Sequence, residues 1–277
     1  MDSSYLDSLF GLQDKVVVVT GGGGVLCGAM SRGLARLGAQ VAVLDIRSDA
    51  AQLVADEITA QGGVAAPYCV DVLAKEALER CAAQVMERFG RVDALINGAG
   101  GNKREATTRP DLSFFDLPQD AFQWVFNLNF VGTLLPAQVF GQIMVAQGDG
   151  IILNVSSINA LRPLTKIPAY SAAKAAVRNF TEWLAVHVAQ DYSPRIRVNA
   201  IAPGFFLTNQ NRFLLVDEKS GQATPRGQTI LDHTPMRRYG DPDELLSTVI
   251  WLLSPGASFV HGATIVVDGG FSAFSGV

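Results

Sequence analysis

Charge is scarce in this chain of 277 residues: Asp, Glu, Lys and Arg make up 17 % of it, against 48 % hydrophobic residues. That balance excludes a disordered chain, which would be polar and highly charged. The formal net charge is -4, and Lys and Arg are scattered, so there is no basic stripe to follow nucleic-acid phosphates. Cysteine is rarer still. Cys27, Cys69 and Cys81 are odd in number and widely spaced, which excludes a disulfide framework and a tetrahedral thiolate cluster. The three histidines, His187, His233 and His261, have no partner at metal-ligand spacing, so no catalytic metal is expected. No run reaches the ~18 uninterrupted apolar residues of a spanning helix. Residues 1–15 carry acids and lack the apolar core of a signal peptide, so a cytoplasmic protein is expected.

What is present is a regular alternation. Residues 15–20 (KVVVVT) form a β-branched run that stops at four glycines, Gly21 to Gly24, and 25–37 follows with helical character. Further short apolar runs at 41–44, 64–70, 94–97, 150–155, 195–201 and 263–268 alternate with helix-like stretches at 50–60, 74–89, 122–145 and from Tyr170 onward. Continuous rather than alternating apolar strands indicate a parallel sheet covered on both faces. The pattern predicts an α/β, Rossmann-like, doubly wound sheet in a single domain spanning 1–277. No internal repeat, low-complexity tract or linker interrupts it.

The candidate chemistry centres on Tyr170-Ser-Ala-Ala-Lys174, with Ser157 thirteen positions upstream. On a helix, a spacing of four puts the phenol and the ammonium on one face. A nearby positive charge favours phenolate, which predicts a lowered Tyr170 pKa. Such a phenol can pass a proton to a carbonyl oxygen or take one from an alcohol. A Tyr and a Lys four apart are common on any exposed helix, so the company they keep matters. The glycine turn after the first strand can present backbone amides and a helix N-terminus to a pyrophosphate. Asp45 ends the second strand, where a carboxylate can accept ribose hydroxyls and repel a 2′-phosphate. Arg47, two residues on, is the one feature that would suit such a phosphate.

Taken together, the glycine turn, Asn97-Gly-Ala-Gly100, Asn129, Ser157, the YxxxK segment and Pro203-Gly204 resemble the short-chain dehydrogenase/reductase family over nearly the whole chain. Two departures stand out. Where the family pattern reads TGxxxGxG, Val25 and Cys27 replace the later glycines, and where it reads NNAG, Gly98 replaces the second Asn. The resemblance implies that Ser157, Tyr170, Lys174 and Asn129 form the catalytic set, Asn129 holding a water that links Lys174 to solvent. It implies NAD(H) as the preferred cofactor, with NADP(H) open, held by Gly21, Gly22, Gly24, Leu26, Asp45, Asp71, Val72, Asn97, Gly98, Ala99, Tyr170, Lys174, Pro203, Gly204, Phe206 and Thr208. It also implies a homo-oligomer, dimer or tetramer.

Within the family, the run from Asn97 to Asn102 with Ala106-Thr-Thr108, the run from Pro203 to Thr208, and the last ten residues resemble the D-mannonate oxidoreductase (fructuronate reductase) branch. A sugar acid is then the expected substrate. Asn102, Lys103, Ser157, Asn159 and Arg212 are the candidates to hold its hydroxyls and carboxylate. The stretch 205–238, long and polar in its middle, reads as a substrate lid. A gluconate-type or other polyol dehydrogenase is the alternative, and a dinucleotide-binding sensor without turnover is a further one.

Overall fold

The computed structural model describes residues 3–208, 212–217 and 220–276. Helix α1 (Ser3–Phe10) precedes β1 (Val16–Thr20), α2 (Val25–Arg36), β2 (Gln40–Asp45), α3 (Ser48–Ala60), β3 (Val64–Cys69), α4 (Lys75–Phe89) and β4 (Ala94–Asn97). The second half runs through α5 (Gln119–Phe126), α6 (Gly132–Gln147), β5 (Gly150–Val155), α7 (Pro168–Asp191), β6 (Ile196–Pro203), α8 (Arg212–Leu215), α9 (Pro225–His233), α10 (Leu246–Leu253) and β7 (Thr264–Val267). Helix α1 lies ahead of the first expected strand, with Tyr5, Leu6, Leu9 and Phe10 at helical spacing. The seven strands form one parallel sheet in the order β3-β2-β1-β4-β5-β6-β7. The order reverses between β1 and β4, and open α/β sheets bind ligands outside the carboxyl ends of the strands at such a reversal.

The unbroken valines of β1 follow from this layering. Val17 and Val19 face one core with Met30, Leu34, Val54, Ile58, Val249 and Leu252. Val18 faces the other with Leu78, Val85, Phe140, Met144 and Val188. Each fully buried side chain of this size contributes roughly 1.5–3 kcal/mol. The register aligns the strand ends: Thr20 pairs with Leu44 and Asn97, and Asn97 with Asn154. The loops that carry the candidate residues therefore leave the sheet from one edge.

The expected long helix over 122–145 is observed as α5 and α6 joined by a π-helical turn, Asn127–Val131, with Asn129 at its centre. The whole span Gln119–Gln147 is long and apolar enough to cross a membrane. In the fold, α6 packs instead against α4 and against β4 and β5 of the sheet. Near the C-terminus, Asp241 and Glu244 form a capping box over the 3-10 helix Pro242–Leu245 that leads into α10, the reciprocal arrangement that satisfies two orphan amides.

Candidate active site

The glycine turn is shaped by close approach. Gly21 has a φ of 64°, and a Cβ there would stand 2.9 Å from Ala99 Cα. At Gly22 it would meet Val43 Cγ1 at 2.7 Å, and at Gly23 the Ala50 Cβ at 2.6 Å. Gly24 is the N-cap of α2, with no side-chain cap and no acid in the first turn. The first amides of α2, including that of Leu26, thus keep their donor capacity for an anionic ligand. Asp45, buried at the end of β2, accepts from the Gly23 amide at 3.0 Å and the Arg47 amide at 3.0 Å. The exposed Arg47 guanidinium lies 3.8 Å from the same carboxylate.

The two departures from the family pattern meet in space. Cys27, 4 % exposed on the first turn of α2, fills the room a side chain at position 98 would need, so that a Cβ on Gly98 would overlap its Sγ. Burial pushes the Cys27 thiol up to about 12, which makes it filler rather than a nucleophile. Thr20, the first residue of the TGxxxGxG pattern, ties β1 to β4: its Oγ1 accepts from the Gly98 and Ala99 amides at 3.1 and 3.2 Å. Beyond them, buried Asn97 donates from Nδ2 to Asn154 Oδ1 at 2.9 Å.

Further along the same edge, Asp71 accepts from the Leu73 amide at 2.9 Å and shapes the turn before α4, beside buried Val72. Gly204 leaves β6 against Asp268, where a Cβ would stand 2.6 Å from the Asp268 Cβ. The Phe206 ring is in the core, packed against Gly240, so only its backbone is offered to a ligand. Thr208 is half-buried at the end of the same loop.

Ser157, just past the end of β5, faces the Tyr170 phenol on α7, and its hydroxyl favours the phenolate form. Lys174, one turn on, lies with Nζ 5.6 Å from the centre of the Tyr170 ring and donates to Val155 O at 2.8 Å. Asn129 is fully buried; its Nδ2 donates to Gly101 O at 2.7 Å and Val125 O at 2.8 Å, and its Oδ1 accepts from the Gly101 amide at 3.3 Å. Gly100 lies between them, since a Cβ there would be 2.6 Å from Asn129 Oδ1 and 3.4 Å from Lys174 Nζ. The structure therefore brings Asn129, Ser157, Tyr170 and Lys174 to one place at the carboxyl edge.

One expectation is corrected. The Tyr170 pKa is raised, not lowered, because burial of the phenol outweighs the Ser157 hydroxyl, which favours phenolate. Lys174 does not reverse this: its own burial holds it down to about 8, and its ammonium is directed at the Val155 carbonyl rather than at the phenol oxygen.

The substrate candidates divide. Asn102 is exposed and donates to Thr107 Oγ1 at 3.0 Å, while Lys103 lies 5.2 Å from the centre of the Trp124 ring, a cation–π contact that fixes its ammonium near the loop. Arg212 is exposed at the start of α8, which packs on α9. Asn159 turns inward: Nδ2 donates to Ser157 Oγ at 3.2 Å, and Oδ1 accepts from the Leu164 amide and from Ser171 Oγ, each at 3.1 Å. It also lines a groove of about 530 Å³ with Thr108, Phe114, Leu164 and Ser171. Gly100 and Ser171 are contributors that motif reading left without a role, although both sit inside the motif segments.

A family model described as enoyl-(acyl carrier protein) reductase matches residues 26–272. The chain belongs to the short-chain dehydrogenase/reductase family. It is an oxidoreductase by that membership. An uncharacterized oxidoreductase, UxuB, of Bacillus subtilis (strain 168) is 48 % identical over 275 residues, covering 96 % of this chain and 98 % of that protein. The 5-keto-D-gluconate 5-reductase of Escherichia coli (strain K12) is 29 % identical over 267 residues, covering 96 % and 98 %. A crystal structure from Haemophilus influenza with bound NAD, of a protein provisionally assigned as a D-mannonate oxidoreductase, superposes with a TM-score of 0.90. It is 46 % identical and covers 98 % of this chain and all of that one.

Proposed function

We propose that this short-chain dehydrogenase/reductase uses NAD(H) to interconvert a secondary alcohol and a ketone on a sugar acid, D-mannonate and D-fructuronate. The observation that carries the chemistry is the meeting of Ser157, Tyr170 and Lys174 at the carboxyl edge of the sheet, with Lys174 Nζ 5.6 Å from the centre of the Tyr170 ring. The substrate assignment is supported by the 46 % identical, NAD-bound neighbour.

The residues at the edge fit a dinucleotide. The uncapped amides at the N-terminus of α2 suit a pyrophosphate, and the Cβ-free surface from Gly21 to Gly24 lets backbone approach it. Asp45 suits the ribose hydroxyls of NAD. Asp71, Val72, Asn97 to Ala99, Pro203, Gly204, Phe206 and Thr208 would line the remainder. When bound, the cofactor supplies the hydride chemistry. The chain's own part is to hold the substrate oxygen and to move a proton. Ser157 donates to that oxygen. Tyr170 gives it a proton during reduction and takes one during oxidation. A phenol with a raised pKa is kept protonated, ready to act as the acid. Lys174, whose ammonium is destabilised by burial, gives up a proton near pH 8 and can pass it onward past Asn129. Asn102, Lys103 and Arg212 would hold the hydroxyls and carboxylate, with the described parts of 205–238 serving as the lid; residues 209–211 and 218–219 of that stretch lie outside the described residues.

Exposed Trp124, Trp183, Val186 and Phe259 suit coverage by further copies in a cytoplasmic homo-oligomer. A gluconate-type reaction is a second reading, favoured by likeness to the 5-keto-D-gluconate reductase. The test is NADH oxidation with D-fructuronate, beside NADPH and 5-keto-D-gluconate, by wild type and Tyr170→Phe. Turnover with NADH and D-fructuronate that Tyr170→Phe abolishes while still binding NADH is expected. Turnover of 5-keto-D-gluconate alone would move the assignment to the second reading.

A further inference from the structure

A serine hydroxyl has one proton to give and two lone pairs with which to accept. Both lone pairs of Ser157 Oγ are met by a single residue: the Asn159 backbone amide donates to it at 3.2 Å and Asn159 Nδ2 donates at 3.2 Å. What the hydroxyl has left is its proton, and the group it faces is the Tyr170 phenol, whose phenolate form it favours.

The Asn159 carboxamide is not free to turn over. The Leu164 amide, which can only donate, points at Oδ1 at 3.1 Å, and the Ser171 hydroxyl donates to the same oxygen at 3.1 Å. A flipped amide would face the Leu164 donor with its own N–H groups and would offer Ser157 an acceptor instead of a donor. Ser157, Asn159 and Ser171 are all buried, at 7, 6 and 7 % exposure, so water does not readily substitute for any of these bonds.

We propose that Asn159 is a positioning residue: by occupying both lone pairs of Ser157 Oγ it compels that hydroxyl to donate, aiming its proton at Tyr170 and, during turnover, at the substrate oxygen. The second half rests on the reading that Ser157 holds the substrate oxygen; the first half does not. Ser171 acts one step back, from the residue after Tyr170, so that the helix carrying the phenol also sets the direction of the bond it receives. A role limited to shaping the 3-10 turn Ile158–Ala160 would need only the backbone amide bond, and the side-chain bond would then be idle.

The experiment compares Asn159→Ala and Asn159→Asp, each in the wild-type and in the Ser157→Ala background, as full-length enzyme. Asn159→Ala removes the side-chain donor without adding charge; Asn159→Asp keeps the shape but turns the donor into an acceptor. With D-fructuronate, kcat should fall about tenfold for Ala and further for Asp, with KM within about twofold, since a donor to a developing charge is lost indirectly. Without any substrate, ultraviolet titration of tyrosine, with Tyr170→Phe subtracted, should show Tyr170 ionising about one pH unit higher in Asn159→Ala. Lys174, the charged group against the ring, is unchanged in these variants. In the Ser157→Ala background Asn159→Ala should add nothing to either readout, because its route is gone. Unchanged Tyr170 ionisation, or effects that add fully in the Ser157→Ala background, would overturn the proposal. If the wild type turns over no sugar acid, the substrate reading fails while the tyrosine titration still decides the role of Asn159. If Asn159→Asp does not fold, Asn159→Ala decides the same question through its own titration and its pairing with Ser157→Ala.

Discussion

The strongest packing prediction concerns Cys27 and Gly98, two positions that each break the family pattern and that the fold places in contact. A Cβ added at Gly98 would overlap Cys27 Sγ and stand 3.0 Å from the Thr20 carbonyl and 3.6 Å from Cys27 Cβ. The thiol cannot yield by swinging into solvent, since Cys27 is 4 % exposed on the first turn of α2. Gly98→Ala should therefore cost about 1–3 kcal/mol through overpacking. Cys27→Gly alone should cost about 2 kcal/mol, from the lost burial of a small side chain and from glycine in a helix. If the thiol is what obstructs position 98, the double variant should be more stable than the sum of the two losses by about 1–2 kcal/mol. Urea denaturation of the four proteins measures this directly as a double-mutant cycle. The Kd for NADH, followed by fluorescence, should show the same coupling, because both positions adjoin the glycine turn. Additive losses, within about 0.5 kcal/mol, would refute the idea that the two departures compensate each other.

Three further outcomes follow from the site. The Lys174 pKa is held down to about 8 by burial, so unfolding takes up a proton there between about pH 8 and 10.5; the stability of wild type relative to Lys174→Met should rise with pH across that window, by roughly 3 kcal/mol, and urea midpoints independent of pH would refute it. Asp45→Asn removes the charge that holds the Gly23 and Arg47 amides; NADH should bind about tenfold more weakly and the preference over NADPH should narrow, as paired titrations will read. Gly100→Ala sets a methyl 2.6 Å from Asn129 Oδ1 and 3.4 Å from Lys174 Nζ; displacing that pair should lower kcat about tenfold or more with less effect on the thermal midpoint than on rate.

How much of this was legible in the sequence depends on whether a feature is set by neighbours in the chain or by neighbours in space. The strands were legible because a sheet buried on both faces demands unbroken β-branched runs, and Val16 to Val19 can be little else. The positions of Ser157, Tyr170 and Lys174 were legible because strand end and helix start fix where they leave the sheet. The π turn Asn127–Val131 was not, since adding a residue to a helical turn leaves the apolar pattern of the flanking helices almost intact; yet at this turn Asn129 reaches Gly101 as well as Val125 one turn back. The raised Tyr170 pKa was not legible either. The sequence shows that a Lys stands four residues on; it does not show that burial weakens both charges or that the ammonium is committed to Val155. Asn159 is the sharpest case. Its proximity to Ser157 in sequence suggested a substrate contact, but its direction is decided by Leu164 and Ser171, five and twelve residues away. A polar residue beside a catalytic one can face the ligand or face the machinery, and only the partners on its far side decide which.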